Sequence, residues 1–341
     1  MRFSKIIIYL FIFFIGATTG YMFREFSISA SDMTLDYSAV RDSKFKYTHP
    51  LLDVLLAANA PQNMGLRPFK RRVDKFIHED IDRKWADTIA VYFRDLHNGP
   101  WFCIGEVNDF YPASLLKVPL MMAVLKQAET KPEILNKKIY FIRTHTMAAP
   151  NRPSNNMESG RYYTVDELIG RMIMHSDNDA TNLLLKFVDK RTLENTYIQL
   201  GIIASNGSAD LASLLDSSLP EYKFTIPQYA SFFRVLYNAS YLNREMSEKA
   251  LSLLARSDFT AGLNAGIPSN IEVAHKWGYR ELGNNGEIKQ LHDCGIVYYP
   301  NHPYLLCVMT AGNSFEYLDD AIKEVSEIVY KEVDSQIGHD K

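Results

Sequence analysis

Three cysteines among 341 residues are a sparse supply, and their odd number allows at most one disulfide within the chain. No Cys/His spacing marks a zinc site. Cys103, Cys294 and Cys307 all fall in apolar, strand-like stretches, which favours buried free thiols acting as small apolar residues. An excess of either charge is missing too. Lys and Arg number 37 against 40 Asp and Glu, a net charge of −3, and no clustered basic face speaks for nucleic acid as a partner. Neither an internal repeat nor a low-complexity tract is present, which argues against repeat and disordered classes. What is there is a globular composition, 47% hydrophobic and 23% charged, sufficient for an ample core.

Long apolar runs are absent except at the start. Arg2 and Lys5 precede an uncharged stretch from Ile6 to Phe23. That stretch reaches the lower bound for a membrane-spanning helix, about 17 residues, and the basic flank predicts a cytoplasmic N-terminus with the remainder exported. An uncleaved anchor fits the length and the Arg24-Glu25 pair behind it. A signal peptide cleaved near Ser27-Ile-Ser-Ala30, giving a secreted protein, is the alternative. No cysteine lies within residues 17–31, which excludes a lipoprotein anchor.

Residues 24–60 have no clear period and read as an extracytoplasmic tether, with Leu51–Leu56 as a short apolar patch able to dock. Phe69, Val73, Phe76, Ile77 and Ile81 recur at helical spacing. Asp87–Leu96 and Trp101–Gly105 read as strands around a His-Asn-Gly turn. From there to about residue 267 the pattern is helical, with a loop at 147–156, and Thr164 with Glu167 forms a capping box for a helix ending near Met174. Strand patterns return at 271–279, 291–299 and 304–310. A last helix places Phe315, Leu318, Ile322, Val325, Ile328 and Val329 on one face. Strands at both ends around a helical insert predict an α+β domain over 61–338. Its α/β part is 61–117 and 268–338, its helical lobe is 118–267, and short turns favour an antiparallel sheet.

Within that domain, Ser114 and Lys117 form a Ser-x-x-Lys pair in Tyr111-Pro-Ala-Ser-Leu-Leu-Lys-Val-Pro119. Residues three apart share one helix face, and an amine beside a serine can take its proton. Pro112 favours a helix opening near Ala113, with Ser114 at its positive end. By itself the pair is a weak signal, since two common residues recur at that spacing by chance. Ser176-Asp-Asn178 and Lys276-Trp-Gly278 complete an ordered set. With that set the chain, over residues 65–338, resembles the superfamily of penicillin-binding proteins and class A β-lactamases.

The resemblance implies a five-stranded antiparallel sheet flanked by helices, with the active site between the sheet and the helical lobe. It implies Ser114 as acylated nucleophile and Lys117 as its base. Ser176 would relay a proton to the leaving nitrogen, and Lys276 would favour a neutral Lys117 and attract a substrate carboxylate. Asn178 would bind a substrate amide, and the backbone N–H groups of Ser114 and Tyr279 would form the oxyanion hole. Trp277 and Gly278 would line the substrate strand. No metal or cofactor is called for.

Three positions depart from the family pattern. Aligning Thr225-Ile-Pro227 puts the expected deacylating glutamate near Asp210, in a stretch (208–217) without glutamate, and Leu214 stands where its asparagine partner belongs. Trp277 replaces the threonine of Lys-Thr-Gly, and Cys294 stands where an arginine is often found. These losses predict slow deacylation with acylation spared. The reading is an exported serine hydrolase held at the bacterial membrane by its N-terminal helix, acting on a β-lactam or a peptidoglycan-derived peptide. The alternative is a silent binding protein of the same fold, with Trp277 as an aromatic platform. His275 and His292 flank the same strands, and neither receives a role. The oligomeric state stays open.

Overall fold

Alternation along the long strands decides the architecture. In β1 (Thr88–Asp95), Ala90 and Tyr92 pack to one side while Ile89, Val91 and Phe93 pack to the other. The same split holds for β2 (Trp101–Ile104), β7 (Val273–Leu282), β8 (Ile288–Val297) and β9 (Tyr304–Gly312), as expected of strands buried on both faces. These five pair in the order β2-β1-β9-β8-β7, every pair antiparallel. The computed structural model describes residues 46–48, 66–82, 85–96, 99–143, 157–201 and 223–338. Residues 42–341 form one compact unit.

One sheet face is covered by α1 (Arg67–Asp82), through Phe69, Val73, Phe76 and Ile77, and by α8 (Phe315–Gly338), through Leu318, Ile322, Val325 and Val329. The expected terminal helices are therefore present with their apolar faces inward. The other face packs on the helices between the sheet's two halves. These are α2 (Lys117–Thr130), α3 (Val165–Met174), α4 (Asn178–Phe187), α5 (Lys190–Gln199), α6 (Ile226–Tyr237) and α7 (Arg244–Leu254). That region also carries a ribbon of β4 (Lys138–Phe141) with β5 (Arg161–Thr164), and β6 (Phe224–Thr225) pairs with β3 (Asp109–Phe110). The capping box forms as expected. Thr164 Oγ1 accepts from the Glu167 N–H at 3.1 Å, Glu167 Oε2 accepts from the Thr164 N–H at 2.7 Å, and α3 ends at Met174.

Two expectations need correction. Cys294 and Cys307 are direct partners across β8 and β9 and are joined as a disulfide, leaving Cys103 as the buried free thiol. Their strand assignment already fixed them in neighbouring strands, but register between strands is invisible in an apolar pattern. Within the stretch read as a tether, residues 46–48 are fastened to the domain. The Glu248 carboxylate on α7 accepts from the backbone N–H of Lys46, of Tyr47 (2.6 Å) and of Thr48 (2.8 Å), and the Tyr47 carbonyl accepts from the Tyr298 hydroxyl. Among the described residues no helix is long and apolar enough to cross a membrane. The apolar run at 6–23, the patch at 51–56, the loop at 147–156 and the stretch 208–217 all lie outside the described residues.

Candidate active site

Pro112, at φ −68°, opens a 3₁₀ turn over Ala113–Leu116 that runs directly into α2. The helical segment opens at Ala113, where Pro112 predicts it, as a 3₁₀ turn. Ala113, at φ +49°, is left-handed, so the chain bends sharply just before Ser114. In a 3₁₀ turn residues i and i+3 eclipse, so Ser114 and Lys117 stand over one another. The turn is pressed against β7. A Cβ on Gly278 would sit 3.0 Å from the Ser114 nitrogen, 3.1 Å from the Leu115 nitrogen and 3.1 Å from the Pro112 oxygen. Only a glycine lets the strand come so near the nucleophile's backbone.

The Ser176-Asp177-Asn178 turn divides its labour. Asp177 is the N-cap of α4, its Oδ1 accepting from the Ala180 N–H at 3.1 Å. Capping therefore accounts for the aspartate and not for its two neighbours. Ser176 is left-handed, φ +54°, which aims its carbonyl and hydroxyl at Lys117. Lys117 Nζ donates to Ser176 O at 2.6 Å, to Ser176 Oγ at 3.1 Å and to Asn178 Oδ1 at 2.7 Å. Holding a non-glycine residue in that region costs about 1–3 kcal/mol and persists only where the surroundings enforce it.

On β7, the edge strand of the sheet, Lys276 faces the helices. It is fully buried (0% exposed), and Lys117 is 4% exposed. Buried ammoniums need partners. Lys276 Nζ donates to the same Ser176 Oγ at 3.1 Å and to the Trp277 carbonyl at 3.1 Å, and it lies 5.1 Å from the centroid of the Trp277 ring. A hydroxyl oxygen has two lone pairs and one proton. Accepting from both lysines occupies the lone pairs and leaves the Ser176 proton to be donated elsewhere.

The residues on either side of Lys276 face away. Trp277, 3% exposed, stacks on Phe259 (centroids 4.4 Å apart) and on Tyr279 (5.7 Å) within the cluster under α8. So little of the ring is exposed that it offers a ligand scarcely any surface. His275, on the same side as Trp277, bonds Asp293 at 2.8 Å, both fully buried. Cys294 is the register partner of Lys276. The structure thus gathers Ser114, Lys117, Ser176, Asn178, Lys276 and Gly278, while the Trp277 ring is buried against Phe259 and Tyr279, with Lys276 Nζ near the ring. Sequence reasoning missed Tyr229 on α6. It is buried among aromatics, and its hydroxyl donates to the Leu115 carbonyl, one residue past Ser114, at 3.1 Å. A tyrosine amid Phe232 and Phe233 reads only as core, so nothing in the pattern distinguishes it.

Comparison with known proteins bears on the family and the fold. The model of the Beta-lactamase enzyme family matches residues 68–333. Beta-lactamase OXY-1 of Klebsiella oxytoca is 24% identical over 211 residues, covering 58% of this chain and 67% of its own length. Extended-spectrum beta-lactamase PER-1 of Pseudomonas aeruginosa is 25% identical over 240 residues, covering 67% and 77%. Among solved structures, PBP-A superposes with a TM-score of 0.65 at 20% identity, over 81% of this chain and all of that one (100%). The TLA-3 extended-spectrum beta-lactamase gives 0.67 at 19%, over 79% and 99%. Since that family model spans residues 68–333, most of the chain, the chain belongs to the beta-lactamase enzyme family.

Proposed function

We propose that this protein is an exported serine hydrolase that forms an acyl-enzyme at Ser114 with an amide substrate, a β-lactam or a cell-wall peptide. The observation that carries the reading is the convergence of Lys117 and Lys276 on the Ser176 hydroxyl beside the Ser114 turn. Ser114 Oγ attacks the carbonyl carbon while a neutral Lys117 takes the hydroxyl proton. The backbone N–H groups of Ser114 and Tyr279 hold the oxyanion. Ser176 passes its proton to the leaving nitrogen and is reprotonated from a lysine, the C–N bond breaks, and the ester remains. Water later hydrolyses that ester and regenerates Ser114.

Deacylation is the slow step in this reading, giving behaviour closer to a D,D-peptidase than to an efficient lactamase. Trp277 and Cys294 stand in place of the family's usual carboxylate contacts, and residues 208–217 offer no glutamate. Export is supported by the disulfide, which suits an oxidising compartment, and by the uncharged run from Ile6 to Phe23, read as a membrane anchor. Intact-mass spectrometry after exposure to benzylpenicillin, followed over time, tests the reading. It calls for a mass increase equal to the whole penicillin, absent in Ser114→Ala and decaying slowly. A folded wild-type protein that never gains that mass would favour the silent binding protein instead.

A further inference from the structure

Tyr111, three residues before Ser114, has both of its backbone polar groups taken by side chains of β8. Its N–H donates to Gln290 Oε1 at 3.0 Å, and its carbonyl accepts from His292 Nε2 at 3.1 Å. Gln290 is 6% exposed and His292 is 0% exposed. The tautomer of His292 is set by its other nitrogen, since Nδ1 accepts from the Thr310 N–H at 3.3 Å. That leaves Nε2 as the N–H donor, and it points at Tyr111. The Phe110 ring packs edge-on against the imidazole, centroids 5.3 Å apart, which locks the ring plane.

The stretch so held leads into the left-handed Ala113 and the 3₁₀ turn. Leu115 N–H closes on Pro112 O at 2.9 Å, and the Tyr229 hydroxyl holds the far side of the same turn. A strained turn keeps its geometry only if both its entry and its exit are fixed. We infer that His292, with Gln290, is a positioning residue for the nucleophile: its Nε2–H bond to Tyr111 fixes the height at which Ser114 presents its hydroxyl over Lys117. This inference rests on the Ser114 reading and adds residues to which that reading assigned no part. A displacement of about 1 Å in a reacting group can cost a hundredfold in rate, so the clamp acts on acylation more than on binding.

Two near-isosteric variants separate this role from a merely structural one. His292→Gln keeps a donor at the reach of Nε2 and loses the acceptor for Thr310. His292→Asn keeps that acceptor and falls short of Tyr111. The acylation rate constant with benzylpenicillin should drop at least about tenfold in His292→Asn while half-saturating concentration stays within about twofold, and His292→Gln should restore most of the rate. Amide hydrogen exchange over residues 111–116 of the unliganded protein should accelerate in His292→Asn and not in His292→Gln. Equal rates and equal exchange in the two variants, or loss in His292→Gln as deep as in His292→Asn, would overturn the inference. If wild-type protein is never acylated but exchange follows the expected order, the hydrolase reading falls and the clamp on the turn stands.

Discussion

Lys117 and Lys276 donate to one and the same oxygen, the hydroxyl of Ser176, each at 3.1 Å. The two come from opposite sides of the cleft, one from the start of α2 and one from the edge strand β7. Ser176 therefore joins the helical half of the domain to the sheet half at the point where the chemistry is proposed. Two buried amines need oxygen partners, and this serine supplies one to both.

Substituting Ser176 should separate those two roles. Ser176→Ala keeps the left-handed strain and removes the shared acceptor, while Ser176→Gly removes the acceptor and relieves the strain. Both should lose acylation by about the same factor, a hundredfold or so, the order of an acid–base contribution. Thermal melting should rank Ser176→Gly above Ser176→Ala. Unimpaired labelling in both would show that the hydroxyl takes no part in proton transfer.

Gly278→Ala tests the contact of strand and turn. The added methyl meets the backbone atoms of Ser114, Leu115 and Pro112 at 3.0–3.1 Å, and backbone cannot swing aside as a flexible side chain can. Either β7 or the turn must retreat by some tenths of an ångström, costing about 1–3 kcal/mol. Acylation should slow by ten- to a hundredfold. Rate measurement by intact mass, beside a denaturant titration, checks both, and wild-type labelling would mean that the close approach serves packing only.

Much of this was legible in the sequence because it is written in short periods. Alternation in 271–310 and three-four spacing in 315–329 give the sheet and its covering helix, and the Thr164/Glu167 box fixes where α3 begins. Ser114, Lys117, Ser176 and Lys276 could be picked out because their motifs are local. What could not be read depends on register between distant strands. The Cys294–Cys307 pairing and the bonds from His292 and Gln290 to Tyr111 follow from which residues β8 sets beside its neighbours. Strand polarity gave the side each residue faces. It gave no partner.

The disulfide makes a simple count available. Alkylation of the unfolded chain without reductant should modify one thiol, Cys103, and with reductant all three. Closing a loop of this size is worth up to about 3 kcal/mol, and less here because the strands pair anyway. Reduction should therefore lower the melting temperature by several degrees. Three thiols modified without reductant would show that the cysteines are free, and would remove one support for export.

His292 should also leave a mark on acid stability. Burial pushes its pKa from 6.5 down to about 4, against the smaller opposing pull of the Tyr111 and Leu291 carbonyls. In the unfolded chain the ring titrates near 6.5, so between about pH 6.5 and 4 the unfolded state binds a proton that the folded state refuses. Stability from this group is complete above pH 6.5, falls as the pH drops through that window, and levels off near pH 4, a loss of about 3 kcal/mol. Protonation at Nδ1 would also set two N–H groups against each other at Thr310, so the folded ring has a steric and electrostatic reason to resist. Guanidinium titrations of wild type and His292→Gln at intervals from pH 7 to 4 isolate the effect, because every other group titrates in both. The wild-type curve should descend more steeply, and parallel curves would mean that the ring accepts a proton inside the fold.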